Sequence, residues 1–181
     1  MGVRLALARI FLPLPIRKRK LGDLFLLTAR AFNATLPPLE RLSWADLCLR
    51  YGEFSRELAG KAVQNPEGFE LVKRRLFDGS FQLGQELRRE LMVSSAKDAM
   101  AAARILYKTL QMDFRGNERG DIVIRKCFFS RLYSAEVCRL MSSVDAGILA
   151  GLVGGDTLDF TQRLTEGHDC CRAHLLFKER A

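Results

Sequence analysis

The hydrophobic period of this chain changes near residue 111, and that change restricts the fold more than any other feature. Before it, apolar residues recur at helical spacing. Leu47, Tyr51, Phe54 and Leu58 fall at i, i+4, i+7 and i+11. Phe69, Val72, Leu76, Leu83 and Leu87 make a second stripe, and Ala99, Ala103, Leu106 and Leu110 a third. Start signals precede each one. Ser43-Trp44-Ala45-Asp46 has the form of a capping box, Asn65-Pro66 puts proline at a first helical position, and Ser95 to Asp98 caps again. An earlier helix is expected from Asp23 to about Asn33, stopped by Leu36-Pro37-Pro38, and Asp78-Gly79-Ser80 is a candidate break. Beyond residue 111 the period falls to two. Met112 to Arg115 and Asp121 to Cys127 read as short strands around a turn-rich loop at Gly116 to Gly120. A further helix from Ser134 ends at Gly154-Gly155. Two more alternating stretches, around Leu158 to Leu164 and Cys171 to Phe177, join at Thr165 to Asp169. The order predicts an α+β fold, with a four-stranded antiparallel sheet covered by helices on one face.

A chain of 181 residues, 48% apolar with 5 prolines, suits one domain with an ordinary core. Within it we distinguish an N-terminal arm at 1–20, a helical part at 21–111 and a hairpin-helix-hairpin part at 112–181. The net charge of +8 is spread along the helices without interleaved aromatic residues, which argues against a nucleic-acid partner. One dense cluster, Arg17 to Lys20, follows an apolar start broken by Arg4 and Arg9. Such an arm packs on the body, or makes peripheral contact with an anionic membrane through residues 1–20. Five cysteines, an odd number without a secretory leader before them, predict reduced thiols and a cytoplasmic location.

Groups able to do chemistry crowd the last third: Cys127, Cys138, Asp145, Glu166, His168, Asp169, Cys170, Cys171 and His174. Cys138, Ser142 and Asp145 share one helix face beside the stripe Val137, Met141, Val144 and Ile148, so Asp145 stands at the margin of an apolar surface and needs a partner or a purpose. On the last strand, parity turns Cys171 toward the helices with Ala173 and Leu175, and turns Cys170, Arg172 and His174 away. Adjacent strand residues cannot easily bind one ion together. Gly147 and Gly151, four apart, permit close backbone approach. No spaced metal, phosphate-loop or dinucleotide motif is present, so no cofactor is indicated by motif.

The run Cys127, Asp145, Phe160 and Thr165-Glu166-Gly167-His168-Asp169-Cys170-Cys171 resembles the C-terminal signature of the L-2-amino-thiazoline-4-carboxylic acid hydrolase family. That signature is a cysteine after a strand, a helical Cys-x-x-Asp, and an E-G-x-D-x-C turn into the last strand. The likeness spans roughly residues 110–178, and the family's helical cysteine falls on Ser142. A weaker similarity reaches vinyl-reductase-type small-ligand domains and the cysteine-rich end of a plant carotenoid isomerase. The resemblance implies a hydrolase that opens a small cyclic amidine. It would use Cys127 or Cys171 as nucleophile or metal ligand, Asp145 and Asp169 as base or orienter, and His168 as proton shuttle. Arg163 or Arg172 would clamp a carboxylate. If a divalent transition metal is bound, its candidate ligands are Cys127, Asp145, His168 and Cys171. The alternative is a non-catalytic small-molecule or metal-binding sensor. In either case the partner is a small molecule.

Overall fold

A computed structural model describes Leu5, residues 12–155 and residues 157–176. The apolar start expected to contact a membrane lies largely outside these residues. Helix α1 spans Leu14–Ala31, α2 Trp44–Ala62, α3 Pro66–Leu91 and α4 Ala96–Thr109. Strands β1 (Phe114–Gly116) and β2 (Asp121–Ile124) follow, then α5 (Ala135–Val153), β3 (Thr157–Gln162) and β4 (Cys171–Leu176). Single 3-10 turns at Phe128–Arg131 and Leu164–Glu166 sit before α5 and before β4. The fold is α+β.

The helix starts follow the local chemistry. Ser43, Ser95 and Ser134 each accept the backbone N–H three residues on, satisfying one of the donors a helix leaves open. Asn65 does the same ahead of Pro66. At the other end of α5, Gly154 takes φ +105°, a left-handed conformation suited to glycine.

Several boundaries differ from expectation. Helix α1 begins nine residues early, because Pro13 and Pro15 occupy its cap and first turn, where proline is tolerated. It stops at left-handed Asn33, before the prolines are reached. Helix α3 runs unbroken through Asp78-Gly79-Ser80, since Ser80 turns its hydroxyl back onto the Leu76 carbonyl and packs against α5. Strand β1 starts two residues late: Gln111 reverses the chain at φ +60°, and Met112 N–H is still tied to Tyr107 O at 3.0 Å. Strand β2 ends at Ile124, three residues before Cys127.

The sheet order is β1-β2-β4-β3, antiparallel throughout. Register puts Phe114, Ile122, Ile124, Cys171, Ala173, Leu158 and Leu175 on one buried face. Helices α4 and α5 cover it. Arg172 is exposed on the other face, where His174 Nδ1 meets Asp121 Oδ1 at 3.1 Å. Behind the sheet, α3 and α5 pack at backbone distance. A Cβ on Gly147 would come within 2.4 Å of Phe77 O, and one on Gly151 within 2.3 Å of Phe81 O. This pairing locks α5, the helix that carries Asp145.

Candidate active site

An apolar helix face forces any polar group on it to find a partner, and Asp145 finds Tyr107. The Tyr107 hydroxyl, on α4, donates to Asp145 Oδ1 at 2.6 Å. Both groups line a cavity of about 70 Å³ bounded by α1, α2, α4, α5 and the Phe128–Arg131 turn. All three tyrosines of the chain, Tyr51, Tyr107 and Tyr133, face this space, together with Cys127, Cys138 and Ser142. Leu110, Met112, Phe129 and Ile148 form apolar wall. The tyrosine protons are largely committed. Ser55 donates to Tyr51 O at 2.6 Å, so its short contact with Tyr133 is one in which the tyrosine donates. Tyr51 shares a hydrogen bond with Thr28 at 3.2 Å.

Burial sets the protonation states. It pushes Asp145 up to about 6, against the opposing pull of the Tyr107 hydrogen bond and the Arg163 charge. Burial, aided by the negative charge of Asp145, raises Cys127 to about 12. The N–H groups of Ser130 and Phe129, in the turn that Cys127 opens, favour its thiolate without reversing that shift. Cys138 is raised by burial too, and the buried Thr165 hydroxyl, which has no other partner among the described residues, lies against its sulfur. Tyr107 and Tyr133 are pushed well above the usual phenol range, first by burial. The resting site thus holds neutral thiols and phenols around one carboxylate that titrates near neutrality.

Of Cys127, Asp145 and Cys171, carried on three different elements, the first two meet in the cavity. Cys127 and Asp145 share the cavity wall. Cys171 is buried under the sheet, where its sulfur accepts the Leu164 N–H at 3.4 Å and feels the charges of Asp145 and Arg163. It does not line the cavity, so a nucleophilic Cys171 has no open approach from there. Arg163 reaches inward: its Nε lies 3.5 Å from Ser142 Oγ, its guanidinium stacks 4.6 Å from the Phe160 ring, and Glu166 stands 3.8 Å away. Arg172 is on the outer face, which removes it from this cavity as a carboxylate clamp. His168 and Asp169 stand in solvent in the turn before β4, because the left-handed Gly167 turns the chain outward there. Neither lines the cavity. Among the described residues no three His, Cys, Asp or Glu side chains are arranged to share a metal ion. The set Cys127, Asp145, His168 and Cys171 therefore does not fit a common ion.

Two features escape a reading of the sequence. The tyrosines pass for core residues, although a phenol on an apolar stripe needs a partner as much as a carboxylate does. A wider cleft of about 420 Å³ also adjoins the cavity, lined by Gln111, Arg125, Lys126, Phe128, Arg131 and Leu164. Cys127 and Ser130 border both spaces, so Cys127 stands in the wall between them. No protein-family model matches this chain, and no curated protein matches it significantly.

Proposed function

We propose that the protein is a hydrolase acting on a small cyclic amidine of the thiazoline-carboxylate type. The observation that carries this reading is one carboxylate, Asp145, held by Tyr107 in a small cavity with a thiol in its wall. A group titrating near 6 can both take and return a proton at neutral pH. In the reaction, water adds to the ring carbon between nitrogen and sulfur and gives one proton to Asp145. The ring nitrogen takes the other proton. The carbon–sulfur bond then breaks, the new oxygen becomes a carbonyl, and Asp145 passes its proton to the departing sulfur. Tyr107 orients the carboxylate. Cys127, protonated at rest, stands in the cavity wall with Asp145 and moves no proton in this route. The motif resemblance around Asp145 and Cys171 supports the same chemistry.

The second reading, a non-catalytic small-molecule sensor, draws support from the raised thiols and the tight cavity. Incubation with 2-amino-thiazoline-4-carboxylate, followed by detection of released thiol, separates the two. We expect release by the native protein and at least about a hundredfold loss in Asp145→Asn, the usual scale for a general base. Saturable binding with no thiol release would replace the enzyme by the sensor.

A further inference from the structure

The cleft beside the cavity has a charge that the reaction site does not need. Arg125, Lys126 and Arg131 all line it, within seven residues of one another on the segment linking β2 to α5. All three are exposed, and none forms an ion pair among the described residues. The carboxylates nearby are already engaged. Asp113, whose backbone pairs with Arg125 and Lys126, holds Arg115 at 3.6 Å. Glu166, beyond Leu164, holds Arg139 at 2.8 Å and Arg163 at 3.8 Å. Three like charges gathered on one concave surface repel each other and focus a positive potential there. A single carboxylate is met by one bidentate guanidinium. Three cations match a group carrying two negative charges.

We propose that this cleft is a subsite for a dianionic group, of the phosphate or paired-carboxylate kind, on the small molecule whose other end reaches Cys127 and Asp145. The location beside the reaction cavity rests on the function proposed above; the anion chemistry of the cleft does not. Cys127 borders both spaces, so an anion held by Arg125, Lys126 and Arg131 leaves the attached ring or chain beside Cys127. The span between them then selects the ligand by length as well as by charge.

Calorimetric titration of the full chain with inorganic phosphate tests this, with acetate at matched ionic strength as the monoanion. Phosphate should bind about tenfold more tightly than acetate, and Arg131→Gln or Arg125→Gln should weaken it about tenfold. Lys73→Gln, an exposed residue of α3 that does not line the cleft, should leave it unchanged. Bound phosphate should also slow alkylation of Cys127, read by peptide mapping. Equal binding of phosphate and acetate, or retention of phosphate binding in both arginine variants, overturns the subsite. Phosphate binding that follows this pattern without any hydrolysis of the thiazoline leaves the subsite standing and sinks the proposed reaction. Thiazoline turnover that Asp145→Asn abolishes, in a protein that binds phosphate no more tightly than acetate, does the reverse.

Discussion

Asp145 is the residue whose environment does most to set the behaviour of the protein. Its carboxyl titrates at about 6, above the ordinary 3.8, so the folded state holds a proton that the unfolded chain has released between those values. The Asp145 contribution to stability is therefore full below pH 4 and declines as the pH rises through 6. The decline is on the order of 2–3 kcal/mol. Asp145→Asn, which keeps an acceptor for Tyr107, removes that dependence. Urea titrations at pH 4.5 and 7.5 should show the variant gaining on the native protein at the higher pH. Tyr107→Phe acts in the opposite sense on the same group. Loss of the donated hydrogen bond raises Asp145 further, and the acidic limb of the pH–rate profile should move to higher pH. An unmoved limb would assign that limb to a different group. At this scale Asp145 was legible in the sequence, because a carboxylate at the margin of an apolar stripe needs an explanation. Tyr107 was not, because its ring satisfies the helical pattern and its hydroxyl declares itself only when α4 and α5 meet. His168 and Asp169 misled in the other direction: a reactive residue type in a turn is no guide to where the turn points.

Among the elements, α5 carries the site on one side and its fastening on the other. Cys138, Ser142 and Asp145 face the cavity while Gly147 and Gly151 touch α3. Gly147→Ala puts a methyl where Ser80 Oγ and Phe77 O already lie, at 2.3 and 2.4 Å from the new atom. The helices must separate, and we expect a loss of about 1–3 kcal/mol in chemical denaturation. Gly60→Ala in α2 provides the contrast. Nothing lies within 4 Å of its added Cβ, and the helix should gain about 0.5–1 kcal/mol. The small-residue spacing on α5 announced this close approach, just as the serine caps announced the helix starts. Strand ends were harder to read. Alternation says which residues share a face, but the left-handed turn at Gln111 decides where pairing begins.

For the molecule as a whole, the basic tip of the N-terminal arm is drawn into the body. Lys20 reaches Glu90 at 3.0 Å and Lys18 donates to the Leu42 carbonyl at 2.8 Å. No helix among the described residues is long and apolar enough to cross a membrane. The interior also contains Cys48, fully buried with its thiol raised to about 11. Its labelling by a thiol reagent should track global unfolding, with a rate that rises with urea as the bulk signal does. Faster labelling in native buffer would mean that α2 opens by itself. The two layers were legible from the change of period. The convergence of cavity and cleft was not, since it depends on how separate segments are brought into contact.

Strand β4 comes last of the four in the chain yet lies between β2 and β3. While the protein is being made, every other strand leaves the ribosome before the one that joins them. Until β4 arrives, β2 has a partner on one side only and β3 has none, so two hydrogen-bonding edges wait in the open. The nascent chain is thus exposed to mispairing for as long as β4 remains in the tunnel. Slow or interrupted translation between β3 and β4 would leave a helical body with an unfinished sheet, ready to recruit a strand from a neighbour.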